Sequence, residues 1–366
     1  MHPTLKKALH VLEFLAVLYL FFLCIEMMGG SFKLFGKDAA RSLMVVTDNP
    51  IVGLMIGVLA TSIVQSSSTT TSIVVGMVAA GTLSISQAVP MVMGANIGTT
   101  ITSVIVSLGH LRRRREFELA FAGATVHDFF NLLAVTLFLP LEWLLHPIQS
   151  AATWISSLLV GVEGATFSSP LKAIVKPLVE LLQQLGERIW DNQVGLGVVF
   201  ILLALGLLIF SLSRMVCIMR GALAKRLEVL VDHYLFTSVM RAFVIGILVT
   251  AIVQSSSVTT SLVVPMLGAG IIRVERVFPY MVGANIGTTI TALLASFVTG
   301  CPAAVTIAIC HLLFNLFGSA VFLPLSFVPI GLARWLGRQT ARRRWVALIY
   351  VLVAFFAVPG ILILLS

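Results

Sequence analysis

The hydrophobic residues of this chain fall into long runs that no charged residue interrupts. Val194–Leu212, Val277–Ala295 and Val346–Leu365 are the clearest of these runs. An α-helix needs roughly 20 predominantly apolar residues to cross about 30 Å of hydrocarbon, and each run comes close to that length. The pattern therefore predicts a bundle of membrane-spanning helices.

Two further apolar segments are too short to span a bilayer. Pro50–Val64 reaches only about 22 Å as a helix at 1.5 Å per residue, and Thr70–Ala80 is shorter still. Between them lies the polar string Gln-Ser-Ser-Ser, which begins at Gln65. Non-helical backbone at membrane depth is tolerated only where protein buries it or where it lines a cavity. Two half-length helices that meet at such a string predict a re-entrant hairpin.

The same polar string occurs twice. QSSSTTTSIVVGMVAAG begins at Gln65 and QSSSVTTSLVVPMLGAG begins at Gln254, 189 positions later. At the same offset, GANIGTTIT ends at Thr102 and again at Thr291. At an offset of 184, three more residues find partners: His127 with His311, Asn131 with Asn315, and Pro140 with Pro324. We interpret these matches as two copies of one duplicated unit.

The placement of Lys and Arg predicts how the copies are oriented. With Lys6–Lys7 in the cytoplasm, the first hairpin enters the membrane from outside, and the second, Phe236–Ile272, enters from the cytoplasm. This topology leaves six of the 24 basic residues outside, a bias that follows the positive-inside rule. Those six are Lys33, Lys37, Arg41, Lys172, Lys176 and Arg188. The predicted spans are Leu9–Met28, Ile85–Leu108, Leu119–Leu141, Val194–Leu212, Val277–Phe297, Ala303–Leu325 and Trp345–Leu365.

The predicted fold is an all-α polytopic membrane protein with two inverted-topology repeats, each with a re-entrant helical hairpin and broken helices. Five segments follow from this organisation. They are an N-terminal helix and interfacial segment (1–49), the first repeat (50–141), an external loop with a connecting helix and a basic cytoplasmic linker (142–235), the second repeat (236–325), and a basic cytoplasmic segment with a C-terminal helix (326–366).

Composition agrees with a membrane protein and excludes several other classes. Of the 366 residues 58% are hydrophobic and 11% are charged, against an average of about 25% charged, and the mean hydropathy is +1.06. The net charge of +9 lies in short connectors without interleaved aromatic residues, which argues against nucleic acid. The four cysteines are scattered and form no zinc spacing. The serine strings lack an identifiable partnered base, so we expect no enzyme.

The polar strings carry the candidate chemistry. A serine can cap the returning half-helix, whose free backbone amides and positive dipole end then suit an anion. Two inverted hairpins bring two such tips together at the bilayer centre, and oxygen atoms of Gln and Thr can bind a hard cation. The alternative is that these hydroxyls bond back to their own helices or permit close packing. Ser68 and Ser257 are candidates for caps without ligand contact.

Three ionisable residues lie within predicted spans, where such residues are functional hypotheses by default. His127 and His311 each lie four positions before an Asn, which favours a hydrogen bond along one helix face and a scaffold role. Asp128 pairs with Leu312 in the other copy. Asp128 is either an asymmetric ion-coupling residue or a solvated residue near the cytoplasmic end of its helix.

The chain resembles the type II sodium-dependent phosphate cotransporter family. QSSSTTTS, QSSSVTTS, both GANIGTT strings and RREFELAFAGATVHDFFN from Arg114 to Asn131 carry the resemblance, which covers Pro50–Leu141 and Phe236–Pro324. It implies sodium-coupled phosphate uptake with alternating access. The implied phosphate ligands are Ser66, Ser67, Ser68, Ser255, Ser256, Ser257, Asn96 and Asn285. The implied sodium ligands are Gln65 with Thr288 and Thr291, and, as the mirrored set, Gln254 with Thr99 and Thr102.

The sequence thus predicts a sodium-coupled symporter that imports inorganic phosphate by alternating access, with the substrate between the two QSSS tips. Sodium is the co-transported ion, and no organic cofactor and no further metal are expected. There are two alternatives. The same fold carries another oxyanion or exports its substrate, or the protein is a membrane receptor that senses phosphate without transporting it. The outer segment from His146 to Gln193 has no Cys and no glycosylation sequon, which points to a bacterial inner membrane with a cytoplasmic N-terminus.

Overall fold

The computed structural model describes residues 3–34, 47–160, 170–190, 192–233 and 238–366, and within these residues the chain forms helices and no strand. The helices are α1 (Pro3–Leu34), α2 (Pro50–Val64), α3 (Ser67–Ala80), α4 (Ile85–Thr99), α5 (Ile101–Leu108), α6 (Arg114–Leu145), α7 (Pro147–Val160), α8 (Pro170–Ile189), α9 (Gln193–His233), α10 (Val239–Val253), α11 (Ser256–Gly268), α12 (Val274–Thr299), α13 (Pro302–Phe322), α14 (Phe327–Arg342), α15 (Trp345–Leu352) and α16 (Val358–Leu364), the last two joined by a π-helical turn.

Seven helices of the described part are long and apolar enough to cross a membrane. They are Val11–Met28, Ile85–Leu108, Arg114–Leu145, Gln193–Arg214, Val274–Thr299, Pro302–Phe322 and Trp345–Leu364. Each coincides with one of the spans predicted from the sequence. The prediction of an all-α, multi-pass membrane protein is confirmed.

Four shorter apolar helices form two hairpins, α2 with α3 and α10 with α11. The first arm of each hairpin has 15 residues and ends immediately before a glutamine, Gln65 or Gln254. The return arms have 14 and 13 residues. At these lengths no arm reaches across about 30 Å of hydrocarbon. Each hairpin therefore breaks at its QSSS string, as the sequence predicted.

Three segments expected as loops or linkers are helical. The outer segment contains α7 and α8, the basic linker after Leu212 continues α9 to His233, and the basic segment near the C-terminus belongs to α14. The helices α8 and α14 are polar on one face and have a low mean hydropathy, so they do not appear as apolar runs. The helix α7 is apolar, but with 14 residues it is too short to be predicted as a span. The helices α7 and α14 occupy equivalent positions after the second long helix of each copy. Ser156 of α7 donates to the carbonyl of Pro302 at 3.3 Å, and Gly337 of α14 lies against the carbonyl of Glu118.

Glycines allow the arms of each hairpin to approach the next long helix at backbone distance. A Cβ on Gly57 would lie 2.0 Å from the Met91 carbonyl oxygen, and one on Gly94 would lie 2.0 Å from that of Leu54. The equivalent Gly246 and Gly283 show 2.1 Å to facing carbonyl oxygens. Small residues at helix interfaces are what close packing in membranes requires. The GANIG strings therefore mark closely packed positions, and only the first of them is followed by an interruption of the helix, at Thr100.

We predict that Gly94→Ala lowers the free energy of unfolding by about 1–3 kcal/mol or more, because the new methyl group overlaps a backbone carbonyl that cannot rotate away. The matched control is Gly206→Ala in α9, where nothing lies within 4 Å of the added Cβ. That control should be neutral or slightly stabilising, since Ala favours helix over Gly. Denaturant titration in mixed micelles measures both values. Equal stability of the two variants would contradict the close approach.

Candidate functional site

Each hairpin turns on a glutamine in a left-handed backbone conformation. Gln65 has φ 56° and ψ 28°, and Gln254 has φ 60° and ψ 24°. The backbone N–H of Gln65 donates to Thr61, and that of Gln254 donates to Thr250, which closes each first arm. This conformation costs an L-residue roughly 1–2 kcal/mol and is usually given to glycine. A glutamine kept at both turns is a reason to look for a role of its side chain.

The first serine of each string caps the return helix. Ser66 has an extended backbone and its Oγ accepts from the N–H of Thr69 at 3.2 Å. Ser255 does the same for the N–H of Val258 at 3.4 Å. The expectation that Ser68 and Ser257 are caps is wrong. A cap must directly precede the first helical residue with an extended backbone, and the turn at each glutamine leaves that position to the first serine.

The two tips are in contact with one another. Ser68 Oγ donates to the backbone carbonyl of Gln254 at 3.3 Å, and Ser257 Oγ donates to the carbonyl of Gln65 at 3.5 Å. Each contact is the counterpart of the other in the second copy, so the two tips meet through a reciprocal pair of hydrogen bonds. Chain segments about 190 residues apart are thereby joined into one site.

The two remaining serines of the strings, Ser67 and Ser256, have hydroxyl groups without a partner in the described residues. Ser67 and Ser256 are 3% and 2% exposed, and within the described residues their Oγ atoms make no hydrogen bond. Hydroxyl groups are both donors and acceptors, so these two are available to a ligand. The structure thus brings all six predicted serines to the meeting point of the hairpins and separates them into caps, bridges and unengaged hydroxyls.

A cavity of about 310 Å³ lies beside the tips. Its walls come from both hairpins and from α9, through Val64, Gln65, Ser66, Thr69, Gln254, Ser255, Val258, Ile209, Leu212 and Ser213. None of these lining residues, all of which the structure describes, is ionisable. Two helix N-termini and several hydroxyl donors face this region, which suits an anion. Ser213 was missed from sequence because it stands beside Arg214, where it reads as the end of a span.

The two copies differ in the environment of their glutamine side chains. Gln254 is 9% exposed, its Oε1 accepts from Thr291 Oγ1 at 3.0 Å, and its Nε2 donates to the Ala251 carbonyl at 3.1 Å. Gln65 is exposed at the cavity, and its counterpart partner Thr102 has a buried hydroxyl without a hydrogen bond among the described residues. One Gln–Thr pair is formed, therefore, and the equivalent pair is not.

The predicted sodium ligands are only partly brought together. Among the described residues no hydrogen bond joins Gln65 to Thr288 or Thr291, and the bond of Thr291 runs to Gln254 of its own copy. The hydroxyls of Thr288 and Thr99 donate to carbonyls one turn earlier in their own helices, at 3.1 and 3.0 Å. The pairing of glutamine and threonine across the two copies stays a prediction.

Asn285, predicted as a phosphate ligand, is buried and has partners on both sides of its amide. Its Nδ2 donates to Asn131 Oδ1 at 2.7 Å, and its Oδ1 lies 2.6 Å from His127 Nε2. The orientation is fixed from the far end, where Asn131 Nδ2 donates to the backbone carbonyl of Asn96 at 2.8 Å. A carbonyl can only accept, so Asn131 Oδ1 must accept from Asn285. His127 Nε2 therefore carries the proton and donates.

Asn96 stands in the equivalent arrangement. Its Oδ1 lies 3.2 Å from His311 Nε2, and its Nδ2 donates to Asn315 Oδ1 at 3.5 Å. Asn315 Nδ2 donates to the backbone carbonyl of His311 at 2.9 Å, which fixes the amide orientations by the same reasoning. His311 therefore also donates from Nε2.

Together these six residues form a His–Asn network that joins the copies: His127, Asn131, Asn285, His311, Asn315 and Asn96. The predicted bond between His and the Asn four positions later exists only in the second copy, and there it reaches the backbone of His311. In the first copy, Asn131 bonds across to another helix, because Asn96 passes within reach. The scaffold role expected for the two histidines has structural support, and the partners of their rings belong to the opposite copy.

Asp128 lies on α6 beside the helix break at Thr100 and is fully buried. Its Oδ1 lies 3.0 Å from Thr100 Oγ1, and its Oδ2 accepts from the hydroxyl of Tyr350 on α15. The alternative that Asp128 is solvated near a helix end is therefore wrong. Its role in ion coupling stays a prediction. Within the described residues, no group of three or more His, Cys, Asp or Glu could hold a metal ion.

Comparison with protein families settles the class to which the two hairpins belong. The family described as Na+/Pi-cotransporter matches residues 20–167 and 207–355, which include both QSSS strings and both GANIGTT strings. The chain belongs to the Na+/Pi-cotransporter family. The family resemblance drawn from the polar strings is confirmed.

Named relatives agree with this family. Sodium-dependent phosphate transport protein 2A of Mus musculus is 34% identical over 97% of this chain and 67% of its own length. The 2A protein of Oryctolagus cuniculus is 35% identical over 94% of the chain and 65% of its own. Sodium-dependent phosphate transport protein 2B of Homo sapiens is 31% identical over 94% of this chain and 63% of its own length. The chain thus spans about two thirds of these relatives, which by name are transport proteins. No solved structure matches it significantly.

We predict that the His–Asn network couples its members energetically. Asn285→Leu leaves the donor of His127 and an acceptor of Asn131 unpaired, which should cost about 1–3 kcal/mol per group. Adding His127→Leu removes one of those groups, so the double variant should be more stable than the sum of the single losses. The expected coupling free energy is about 0.5–3 kcal/mol, measured by a double-mutant cycle in mixed micelles.

The control pair for this cycle is Asn285→Leu with His110→Leu. His110 is half-buried and pairs with Glu116 at the start of α6, without contact to the network. Their effects should add within about 0.5 kcal/mol. If the losses in free energy of unfolding caused by His127→Leu and Asn285→Leu are also additive, the hydrogen bond between these residues contributes nothing to stability.

Proposed function

We propose that this protein is a sodium-coupled symporter that imports inorganic phosphate by alternating access, with phosphate held between the two QSSS tips. The observation that carries the proposal is the reciprocal pair of contacts from Ser68 to Gln254 and from Ser257 to Gln65. They place two capped helix N-termini at one point, next to a cavity without ionisable lining residues. Membership of the Na+/Pi-cotransporter family supplies the substrate and the ion.

The serines are the proposed phosphate ligands. Ser67 and Ser256 have unengaged hydroxyls, while Ser66 and Ser255 expose the amide ends of α3 and α11. Phosphate oxygens accept hydrogen bonds from such groups at helix N-termini. Asn96 and Asn285 were expected among the ligands, but their amide groups already have partners in the His–Asn network. We assign them to positioning the GANIG segments behind the site.

The oxygens of Gln65, Gln254, Thr99, Thr102, Thr288 and Thr291 are the proposed sodium ligands. A serine hydroxyl has one proton, and Ser68 donates its proton to the Gln254 carbonyl. If Ser68 donates to a phosphate oxygen instead, that carbonyl loses its donor and becomes an oxygen ligand for a cation. The same exchange links Ser257 and Gln65. Phosphate and sodium binding are coupled in this way through shared hydrogen bonds.

Alternating access is supported by the contrast between the two Gln–Thr pairs. Both glutamines line the cavity, but Gln254 is bonded to Thr291, whereas the hydroxyl of Thr102, the counterpart partner of Gln65, has no hydrogen bond among the described residues. Because the residues are the same in both copies, exchanging the two environments produces a second state of similar energy. In that second state Gln65 pairs with Thr102, and Gln254 faces the substrate from the opposite side.

Contacts between residues at helix ends agree with insertion of the two hairpins from opposite faces of the membrane. Asp48, just before the first hairpin, shares a small cavity with Glu142 at the end of α6. Glu275, just after the second hairpin, forms an ion pair with Arg334 of α14. The first group was predicted outside and the second inside. We propose a cytoplasmic N-terminus from the placement of Lys and Arg, and an inner bacterial membrane as the location because the outer segment from His146 to Gln193 has no Cys and no glycosylation sequon.

Radiolabelled phosphate uptake into proteoliposomes tests the function. We expect an inward sodium gradient to accelerate uptake severalfold over an equal potassium gradient. Unlabelled phosphate should compete, and sulfate should not. Uptake that is indifferent to sodium would exclude coupling. Phosphate binding without any uptake would favour a receptor, and preference for sulfate would change the substrate.

Ser256→Ala tests the ligand assignment. Loss of a hydrogen bond to a charged ligand costs about 1.5–3 kcal/mol, so phosphate affinity should fall roughly 10- to 100-fold. Ser107→Ala is the control, because Ser107 is also buried but donates to the Val104 carbonyl in its own helix. Both variants should be present in the membrane fraction and should be monodisperse after solubilisation in detergent. Unchanged phosphate affinity of the Ser256 variant would remove this serine from the site.

Two substitutions of Gln65 separate its backbone role from its side-chain role. Gln65→Gly keeps the left-handed turn and relieves its strain, whereas Gln65→Ala keeps the strain, and both delete the carboxamide. We expect both variants to lose sodium-driven uptake, and the glycine variant to be the more stable in thermal unfolding. Full uptake by the glycine variant would mean that the turn alone is required.

A further inference from the structure

A second polar cavity, separate from the QSSS tips, lies between the start of α6 and the helix α14. Its volume is about 280 Å³. It is lined by Arg115, Glu118, Leu119, Ala122, Arg334 and Arg338, and we call it the arginine cavity. Gly337 allows the two helices to approach closely here, since a Cβ on it would lie 2.7 Å from the Glu118 carbonyl oxygen and 2.9 Å from the Ala122 side chain.

Positive charge is in excess in the arginine cavity. Arg115 pairs with Glu118 at 3.1 Å, and Arg334 pairs with Glu275. Arg338 has no carboxylate partner among the described residues. The guanidinium of Arg338 presents a planar set of donors that fits the oxygens of a phosphate diester. The cavity is therefore built to take a small anion, with one of its three arginines unpaired.

The position of the cavity along the membrane distinguishes a lipid from a soluble anion. Leu119 is the first residue of the predicted span Leu119–Leu141, so the cavity lies where the charged start of α6 meets its apolar part. On α14, Trp335 is 57% exposed and Phe327 is 68% exposed. Tryptophan is enriched at the boundary between headgroups and acyl chains, and an exposed Phe on the same helix adds apolar surface there. An anion bound here has apolar surface beside it, which free phosphate does not need.

The surrounding face of the protein is strongly basic. Arg344 donates to the carbonyl of Arg112 at 3.4 Å, which brings the connector before α6 next to the connector after α14. The exposed arginines in these two connectors and at the helix ends beside them are Arg112, Arg113, Arg114, Arg342, Arg343 and Arg344. Clusters of basic residues next to membrane helices attract anionic lipids.

We propose that the arginine cavity binds the headgroup of an anionic phospholipid. The phosphodiester accepts hydrogen bonds from Arg338 and from Arg115, and the acyl chains lie along the exposed aromatic residues of α14. Glu118 competes with the headgroup for Arg115, so it weakens the site. This binding is independent of phosphate transport and does not rest on the proposed function.

Native mass spectrometry of the purified full chain, titrated with phosphatidylglycerol or with phosphatidylcholine in a zwitterionic detergent, tests the proposal. We expect preferential binding of phosphatidylglycerol to the wild type. Arg338→Gln should weaken it about fivefold, whereas Arg338→Lys should retain most of it. Glu118→Gln should strengthen it, which a merely destabilising substitution would not do.

The matched control is Arg188→Gln, which removes an exposed arginine in the last turn of α8, on the face predicted to be opposite. This variant should bind phosphatidylglycerol like the wild type. Equal affinities of the Arg338→Gln and Arg188→Gln variants would overturn the proposal. Displacement of phosphatidylglycerol by millimolar inorganic phosphate would also overturn it, because the cavity would then be a site for the soluble anion.

Discussion

A broken helix inside a bilayer leaves backbone groups that only the protein can satisfy, and most of this structure follows from that constraint. Each hairpin ends its first arm at a glutamine and begins its return arm at a capping serine, Ser66 or Ser255. The glutamine carbonyls remain, and each accepts from a serine of the other hairpin. One hairpin alone would leave its turn exposed to lipid. The two tips therefore have to meet, and the site exists where they do.

The same reciprocity extends behind the tips. The glycines of the GANIG strings bring backbones into contact, which leaves little room for water, so polar side chains nearby must find partners in the protein. Asn285 and Asn96 find them in His127 and His311 of the opposite copies. Separating the copies would expose a chain of buried donors and acceptors. The network thus joins the two copies behind the hairpins.

The sequence was sufficient for features that depend on length and repetition. Apolar runs identified the long helices, and the short segment Pro50–Val64 identified a hairpin that breaks at Gln65. Features that depend on three-dimensional contact were not accessible. The capping serine depends on backbone angles at the turn, and the His–Asn partners lie in the other copy. Ser213 reaches the cavity only because α9 packs beside the tips. The helix α14 was read as a linker because its polar face lowers its hydropathy.

The two copies are not equivalent around their glutamines. Gln65 and Gln254 stand in different environments, although both copies have the same residues at these positions. Identical residues cannot by themselves favour one arrangement, so the preference must come from elsewhere in the chain. Asp128 corresponds to Leu312, and its partner Tyr350 comes from a helix outside both repeats. A buried carboxyl group is costly unless it is hydrogen-bonded, so an arrangement without the contacts from Thr100 and Tyr350 to Asp128 would be disfavoured, and no equivalent cost arises at Leu312.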